Sequence, residues 1–506
     1  MMRQLLATKP LKLLLDEMAG ENRLRRVLGP VQLTSLGVGA IIGAGIFVAT
    51  GAAARNVAGP ALMLSYVVAG VTCVFAALCY AEFASMVPVA GSAYTYAYAT
   101  LGEFFAWIIG WDLILEYAVG AATVANGWSG YFQSVLAKFG IHFPASLAGP
   151  PIIYDAAAGH FVQTAGVVNL PAILVTTLVT IVLVKGIQES ANFNTAMVFL
   201  KVTVVLFVIL VGAFYFDPKN WDPFAPFGWS GLSFFGRPLF GQVNAGGQPV
   251  GVLAGAAIIF FAYIGFDSVS THAEEAKQPT RDVPIGIIAS LLICTVLYIA
   301  VVAVLTGMVK YDRLSVDAGV SDAFKQAGLP WAEFIIAAAG VAGITSVLLV
   351  LMLSAPRVFL AMARDGMVPR GFFGDIHPRF RTPWKSTILV GAFVAVLTGF
   401  LPIDALLHMT NIGTLFAFLI VCAAVLIMRR TNPEAARPFR APLYPIVPIL
   451  GMLSCLMLMF SLPVENWYRL AIWMLIGFVM YFSYSYKHSE LRKGNAALGD
   501  AGGHRR

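Results

Sequence analysis

Twelve times the chain turns apolar for roughly the 20 residues that a helix needs to cross a bilayer. The runs fall at about 31–54, 62–86, 97–129, 169–187, 194–216, 250–273, 284–309, 332–362, 386–402, 405–428, 443–462 and 467–486. Repetition of this kind predicts an all-α polytopic membrane protein with 12 transmembrane helices. Longer polar connections separate the runs at 130–168, 217–249 and 310–331.

Two of the runs are apolar but badly suited to an unbroken helix. The first reads GVGAIIGAGIFVATG over Gly37–Gly51 and carries five glycines. Each interior glycine weakens a helix by roughly 1 kcal/mol relative to alanine. A helix that breaks inside a membrane is tolerated only where its freed backbone lines a cavity or is buried in protein. The stretch therefore reads as a discontinuous helix, with the Gly43, Ala44 and Gly45 amides available to an anion. A close-packing face of small residues is the competing reading. The second run, 250–273, is punctuated by Gly251, Gly255 and Gly265, and Asp267 follows its aromatic cluster. It lies five spans after the first, so it crosses in the opposite direction. Paired broken helices of opposite direction point to an inverted-repeat transporter. Spans 1–5 (about 31–216) and 6–10 (about 250–428) form a 5+5 inverted repeat, together a core over 31–430. Helices 11 and 12 are appended over 431–488. A cytosolic arm (1–30) precedes the core and a cytosolic tail (489–506) follows it.

Charge sharpens this picture. Only 12% of the residues are charged, the mean hydropathy is +0.80 and the net charge is +7. With both termini inside, the inner segments hold 23 Lys and Arg against 8 outside. That excess fits the positive-inside rule and requires an even number of spans. It also accounts for the basic character without nucleic acid. In the arm, Leu11, Leu14, Leu15 and Met18 stand at helical spacing beside Lys12, Arg23, Arg25 and Arg26. That pattern predicts an amphipathic helix on the membrane surface. No cleavable signal is expected, because apolar sequence begins only near Val31. The five cysteines, Cys73, Cys79, Cys294, Cys422 and Cys455, all fall inside apolar runs and imply neither disulfides nor a metal site. No enzyme motif is present: P-loop, HExxH and nucleophile elbow are all missing from the sequence.

The segments GAIIGAGIFVATG, FFAYIGFDSVSTHAEEAKQPTRDVPIGI and AMARDGMVP resemble the amino acid–polyamine–organocation superfamily, and within it the bacterial cationic amino acid transporter family. The resemblance extends over roughly residues 20–490. It implies the leucine-transporter-like fold, alternating access, and amino acid uptake across the cytoplasmic (inner) membrane, usually driven by protons. No bound cofactor or metal is then expected, the proton being the coupling ion. The expected partners are the amino acid and the lipid bilayer. A small membrane-protein partner and the oligomeric state stay open, a monomer being compatible.

Several charges stand where a membrane disfavours them. Lys201 lies within the fifth span, and a charge at mid-bilayer costs at least about 3 kcal/mol. Burial disfavours its charged form, so it can take up and release a proton during transport. The resemblance implies the same role, with the ammonium on the unwound backbone of the first helix. Simple snorkelling is the alternative. Glu116 lies mid-way along the third span, with Asp112 one turn before it. It reads either as a partner for Lys201 or a basic substrate, or as a protonated structural group. Asp267 supports the break at Gly265 or caps the second half-helix. Glu274 and Glu275, with Lys277, Arg281 and Asp282, read as a solvated inner turn, a cytosolic gate being the alternative. Glu82 and Arg357 read as inner interfacial anchors.

A zwitterionic amino acid needs donors for its carboxylate and acceptors for its ammonium. Gly43, Ala44 and Gly45 at a half-helix N-terminus supply donors. Carbonyls of Ile41, Phe261, Ala262 and Ile264 supply acceptors. The resemblance puts the side-chain pocket near Phe261, Ile264 and Leu351. A bulky Leu351 there favours small neutral or broad L-amino acids over arginine or lysine. Glu116 argues for a cationic substrate, and exchange is an alternative to proton-coupled uptake. A channel or an amino acid sensor are the competing classes. The sequence carries neither rings of like residues nor an appended signalling domain.

Overall fold

Proline and glycine decide where the helices start, stop and break in the computed structural model, which describes residues 6–10, 28–87, 92–155, 160–185, 191–244, 247–316, 319–380 and 382–492. Helix α1 (Pro30–Ile41) opens with proline, whose missing N–H costs nothing in a first turn. After a two-residue interruption a second helical piece, α2, runs over 45–58. The next helices are α3 (Leu62–Met86), α4 (Ser92–Thr100) and α5 (Glu103–Ala137). The expected third span at 97–129 is thus displaced and split. Gly102 sits at φ +102, which favours glycine and turns the chain between α4 and α5.

Helices α6 (Leu170–Lys185) and α7 (Ala191–Ala213) follow. The sixth run divides into α8 (Val252–Ile259), a 3₁₀ turn (Phe260–Tyr263) and α9 (Ser268–Thr271). Beyond it come α10 (Pro279–Met308), α11 (Gly319–Gln326), α12 (Pro330–Arg364), α13 (Arg370–Phe373), α14 (Trp384–Phe400), α15 (Ile403–Thr431), α16 (Ile446–Ser461) and α17 (Val464–Met480). Two polar connections hold antiparallel ribbons that hydropathy did not announce. In one, β1 (Ile152–Asp155) pairs with β2 (His160–Gln163). In the other, β3 (Leu232–Phe234) pairs with β4 (Arg237–Phe240), and β5 (Gln242–Val243) with β6 (Pro249–Val250).

Among the described residues, seven helical runs are long and apolar enough to cross a membrane, or eight if the pair Ile446–Ser461 and Val464–Arg492, bent by 110°, counts as one. The first run, Pro30–Met86, contains both pieces of the broken helix together with α3. The chain is a multi-pass helical membrane protein. Leu174, Leu178 and Ile181 on α6, and Ile472, Leu475 and Val479 on α17, are exposed at helical spacing, as a lipid-facing stripe requires.

At the centre, α5 packs along α12 and α15, while α1 packs against α10 and α7. Small residues allow close approach: a Cβ on Gly127 of α5 would lie 3.2 Å from the Ala44 methyl. Of the arm, only 6–10 and 28–30 are described, so the expected amphipathic helix over 11–27 lies outside the described residues, as does the tail beyond 492. The described part of the arm is tied to the inner end of the bundle. Lys9 N–H donates to the Tyr98 carbonyl, and Leu28 N–H to that of Glu275.

Candidate functional site

The two broken helices meet at their breaks. Helix α1 stops at Ile41 because Ile42 is extended (φ −72, ψ 102), and Ala44 then caps the start of α2. In the other strand of the pair, Ile264 is extended (ψ 134) and Gly265 adopts φ +120. A Cβ on Gly45 would stand 2.3 Å from the Ala262 Cα, and one on Gly265 would stand 3.0 Å from the Ala40 backbone. Neither position has room for a side chain, so the unwound backbones touch directly. A Cβ on Gly43 would meet Val347 of α12 at 2.7 Å. The Gly43 amide donates to no backbone carbonyl. The Ala44 and Gly45 amides open α2, where helical N–H groups lack partners within their own helix. Three donors at a positive helix end therefore gather beside the break.

Lys201 serves the same turn from α7. Its Nζ, buried with the residue at 1% exposure, donates to the Gly39 carbonyl at 2.6 Å and the Ile42 carbonyl at 3.0 Å. Other carbonyls of the broken helix are met by tyrosines. Tyr298 Oη donates to Ile41 O (2.8 Å), and Tyr131 Oη to Phe47 O (2.7 Å). Thr50 Oγ1, hydrogen-bonded to Tyr66 Oη at 2.7 Å, donates to Gly45 O at 3.3 Å. On the opposite break, Asn411 of α15 donates to the Ala257 and Ile258 carbonyls (2.8 and 3.0 Å). Sequence reading missed Tyr298, Tyr131 and Asn411. A buried tyrosine looks like any core aromatic, and no local pattern marks the carbonyl it will reach.

The acceptor set is partly engaged. Ile41 O takes the Tyr298 hydroxyl, and Phe261 O takes the Ile264 N–H at 3.2 Å. Each carbonyl keeps a second lone pair. Phe261 and Ile264 are 6% exposed, Ala262 1% and Leu351 3%. Leu351 faces Gly120 of α5, where a Cβ would lie 3.5 Å from it.

The carboxylates are arranged differently from expectation. Glu116 does not pair with Lys201. Both oxygens of Glu116, and both of Asp112, are buried without a hydrogen-bond partner, and Asp112 faces Gly413. The reason is geometric: the ammonium is spent on the carbonyls of α1, away from the α5–α15 contact where Glu116 lies. Asp267 stands at the N-cap of α9, yet its side chain makes no capping bond. It reaches back instead, accepting from Gly265 N–H (3.3 Å) and from Tyr117 Oη of α5 (2.8 Å). Asp267 thereby ties the α8–α9 break to α5.

The inner end is closed. Arg357 Nη1 lies 3.1 Å from His272 Nε2 and its Nη2 3.7 Å from Glu275. The 274–283 turn is therefore docked onto α12 through Glu275, where a wholly solvated turn was expected. Lys9 Nζ and Tyr94 Oη both hold Asp365, at 2.9 and 2.7 Å. Glu82 anchors α3 to the segment after α15. It takes two bonds from Arg429 (2.8 and 2.5 Å) and one from the Ala441 N–H (2.8 Å). The opposite end is open. A cavity of about 1320 Å³ enters between α2, α5, α8 and α15 and reaches Val48, Gly127, Ala257 and Ile258, about one helical turn from Ala44 and Phe261. Among the described residues no cluster of His, Cys, Asp or Glu has the makings of a metal site.

Two interrupted membrane helices in contact, a lysine on the unwound turn and a vestibule open at one end define a membrane transport protein. The chain belongs to the amino acid permease family, whose profile matches residues 28–481. Amino acid transport is the function this membership supports. The methylthioribose transporter of Bacillus subtilis is 44% identical over 97% of this chain and 100% of its own length. The branched-chain amino acid permease BcaP of the same organism is 46% identical over 96% and 98%. The vacuolar cationic amino acid transporter 4 of Arabidopsis thaliana is 38% identical over 82% of this chain and 65% of its own.

Proposed function

We propose that this chain is a proton-coupled permease for neutral L-amino acids of branched-chain size, working by alternating access in the cytoplasmic membrane. The observation that carries the proposal is Lys201 Nζ on the Gly39 and Ile42 carbonyls, one residue from the Gly43–Gly45 amides. The substrate carboxylate sits on those amides. Its ammonium takes free lone pairs on the Ala262, Ile264, Phe261 and Ile41 carbonyls, and its side chain lies toward Phe261 and Leu351. Protonated Lys201 holds the unwound turn of α1. Its deprotonation releases that turn and lets the inner end open. The twelve-helix, 5+5 inverted-repeat architecture with helices 11 and 12 appended, and both termini in the cytosol, complete this reading. The positive-inside count supports the orientation. The relative BcaP, named for branched-chain amino acids, supports the substrate size.

A second reading is favoured by the relative named for methylthioribose, a substrate without carboxylate or ammonium. Arginine or lysine is a third, resting on the unpaired Glu116. Uptake of labelled L-isoleucine, methylthioribose and L-arginine into proteoliposomes, with and without an inward proton gradient, separates them. Gradient-stimulated isoleucine uptake is expected. Methylthioribose uptake without isoleucine uptake would reject the amino acid reading.

A further inference from the structure

Helix α17 belongs to neither repeat, yet it forms part of the wall of the open vestibule. Asn466, Arg469 and Glu465 of α17 and His408 of α15 all line the same cavity. Asn466 is 1% exposed and its Nδ2 has no hydrogen-bond partner. The amide cannot turn to hide this, because its Oδ1 accepts from Arg469 Nη1 at 2.9 Å and so fixes which way Nδ2 points. Across from it, His408 Nδ1 is likewise buried and unpartnered. An unmet amide donor, a guanidinium with further N–H groups and a ring nitrogen thus face one space. A buried donor left unmet costs on the order of 1–3 kcal/mol, and a carboxylate there removes that cost. Glu465, on the same wall, offers a negative charge at the distance of one residue along the chain. The other charges on this wall have partners in their own surroundings. Arg55 donates to the Leu314 carbonyl, Glu333 is paired with Lys138, and Asp322 accepts from Gln326.

We infer that Asn466, Arg469 and His408 form a second, peripheral amino acid site in the vestibule, binding the carboxylate before the substrate reaches the broken helices. Glu465 receives the ammonium. The inference rests on the amino acid reading given above and adds to it a site on an appended helix.

Binding of labelled L-isoleucine to the purified full-length chain tests it. Two sites per chain are expected in the parent protein. Asn466→Asp, which keeps the shape but turns the donor edge into a repelling carboxylate, is expected to leave one site with unchanged affinity. Gly43→Leu is expected to remove the other. Should Asn466→Asp fail to elute as a monodisperse species, His408→Gln gives the same reading from a different helix. A parent chain with a single site, lost in Gly43→Leu, would overturn the peripheral site and leave the central one standing. Two sites persisting in Asn466→Asp would overturn it as well. A parent chain that binds no isoleucine at either site would bring down the amino acid reading and this site with it.

Discussion

Lys201 and Gly39 are joined across 2.6 Å, an ammonium from one helix on a carbonyl freed by the unwinding of another. The same Nζ also holds Ile42 O, so one charge spans the last turn of α1 and the first residue beyond it. Hydrogen bonds to a charged group contribute about 1.5–3 kcal/mol each. Lys201→Ala removes both. The expected outcome is loss of gradient-driven isoleucine accumulation by at least about tenfold, while counterflow between preloaded and external amino acid persists. Accumulation assays at imposed pH gradients check this, and undiminished coupling would sink the coupling role.

Gly45 offers no space for a larger residue, since its Cβ would stand 2.3 Å from the Ala262 Cα. Gly45→Leu must push the two breaks apart by more than an ångström. A misplacement of that size is expected to weaken binding by roughly a hundredfold. Membrane insertion and expression are expected to survive, because the apolar run is unchanged. A binding isotherm on purified protein decides it, and intact affinity would return the stretch to a packing role.

Tyr117 gives Asp267 its only side-chain hydroxyl partner among the described bonds, at 2.8 Å. Tyr117→Phe leaves Oδ2 of a buried carboxylate unmet, at a cost of about 1–3 kcal/mol. The α8–α9 break is then less firmly held to α5. The expected result is a lower melting temperature together with a higher KM for uptake. A change in melting temperature alone would confine Asp267 to stability.

Glu82 and Arg429 form a buried bidentate pair, with Arg437 Nε 3.5 Å away. Arg429→Ala leaves the carboxylate buried with reduced compensation, expected to cost about 3 kcal/mol. Glu82→Gln combined with Arg429→Gln is expected to recover part of that loss. Thermal unfolding of the three proteins in one detergent shows it, and equal destabilisation of single and double variants would contradict the pair's importance.

Lys9 and Asp365 close the inner end, with side chains 8% and 13% exposed. Lys9→Ala is expected to shift the resting population toward the inward-open form by about 1–3 kcal/mol, the usual size of a coupling between sites. A cysteine introduced at Ser354, on the α12 face behind this closure, should then react faster with a membrane-impermeant thiol reagent from the inner side. An unchanged rate would assign the pair to docking of the arm alone.

The sequence by itself determined the membrane class, both broken helices and the buried lysine. Each of these is written in local composition: apolar length, glycine spacing, and a charge inside an apolar run. It also placed Gly43–Gly45 and Gly265 at interruptions, because glycine lowers helix stability wherever it falls. What only the tertiary structure decided is where each polar group spends its bonds. Lys201 could have met Glu116; helix packing instead delivers it to Gly39 and Ile42, and leaves Glu116 and Asp112 facing α15 without partners. Asp267 had the position of a cap and reaches backward to Gly265 and Tyr117. Tyr298, Tyr131 and Asn411 act on carbonyls that only folding brings near them. Hydrogen-bond partners far apart in the chain leave no periodic signal, because the bond depends on a distance of a few ångströms in space. The bilayer term is a sum over neighbouring residues, and so it can be read along the chain.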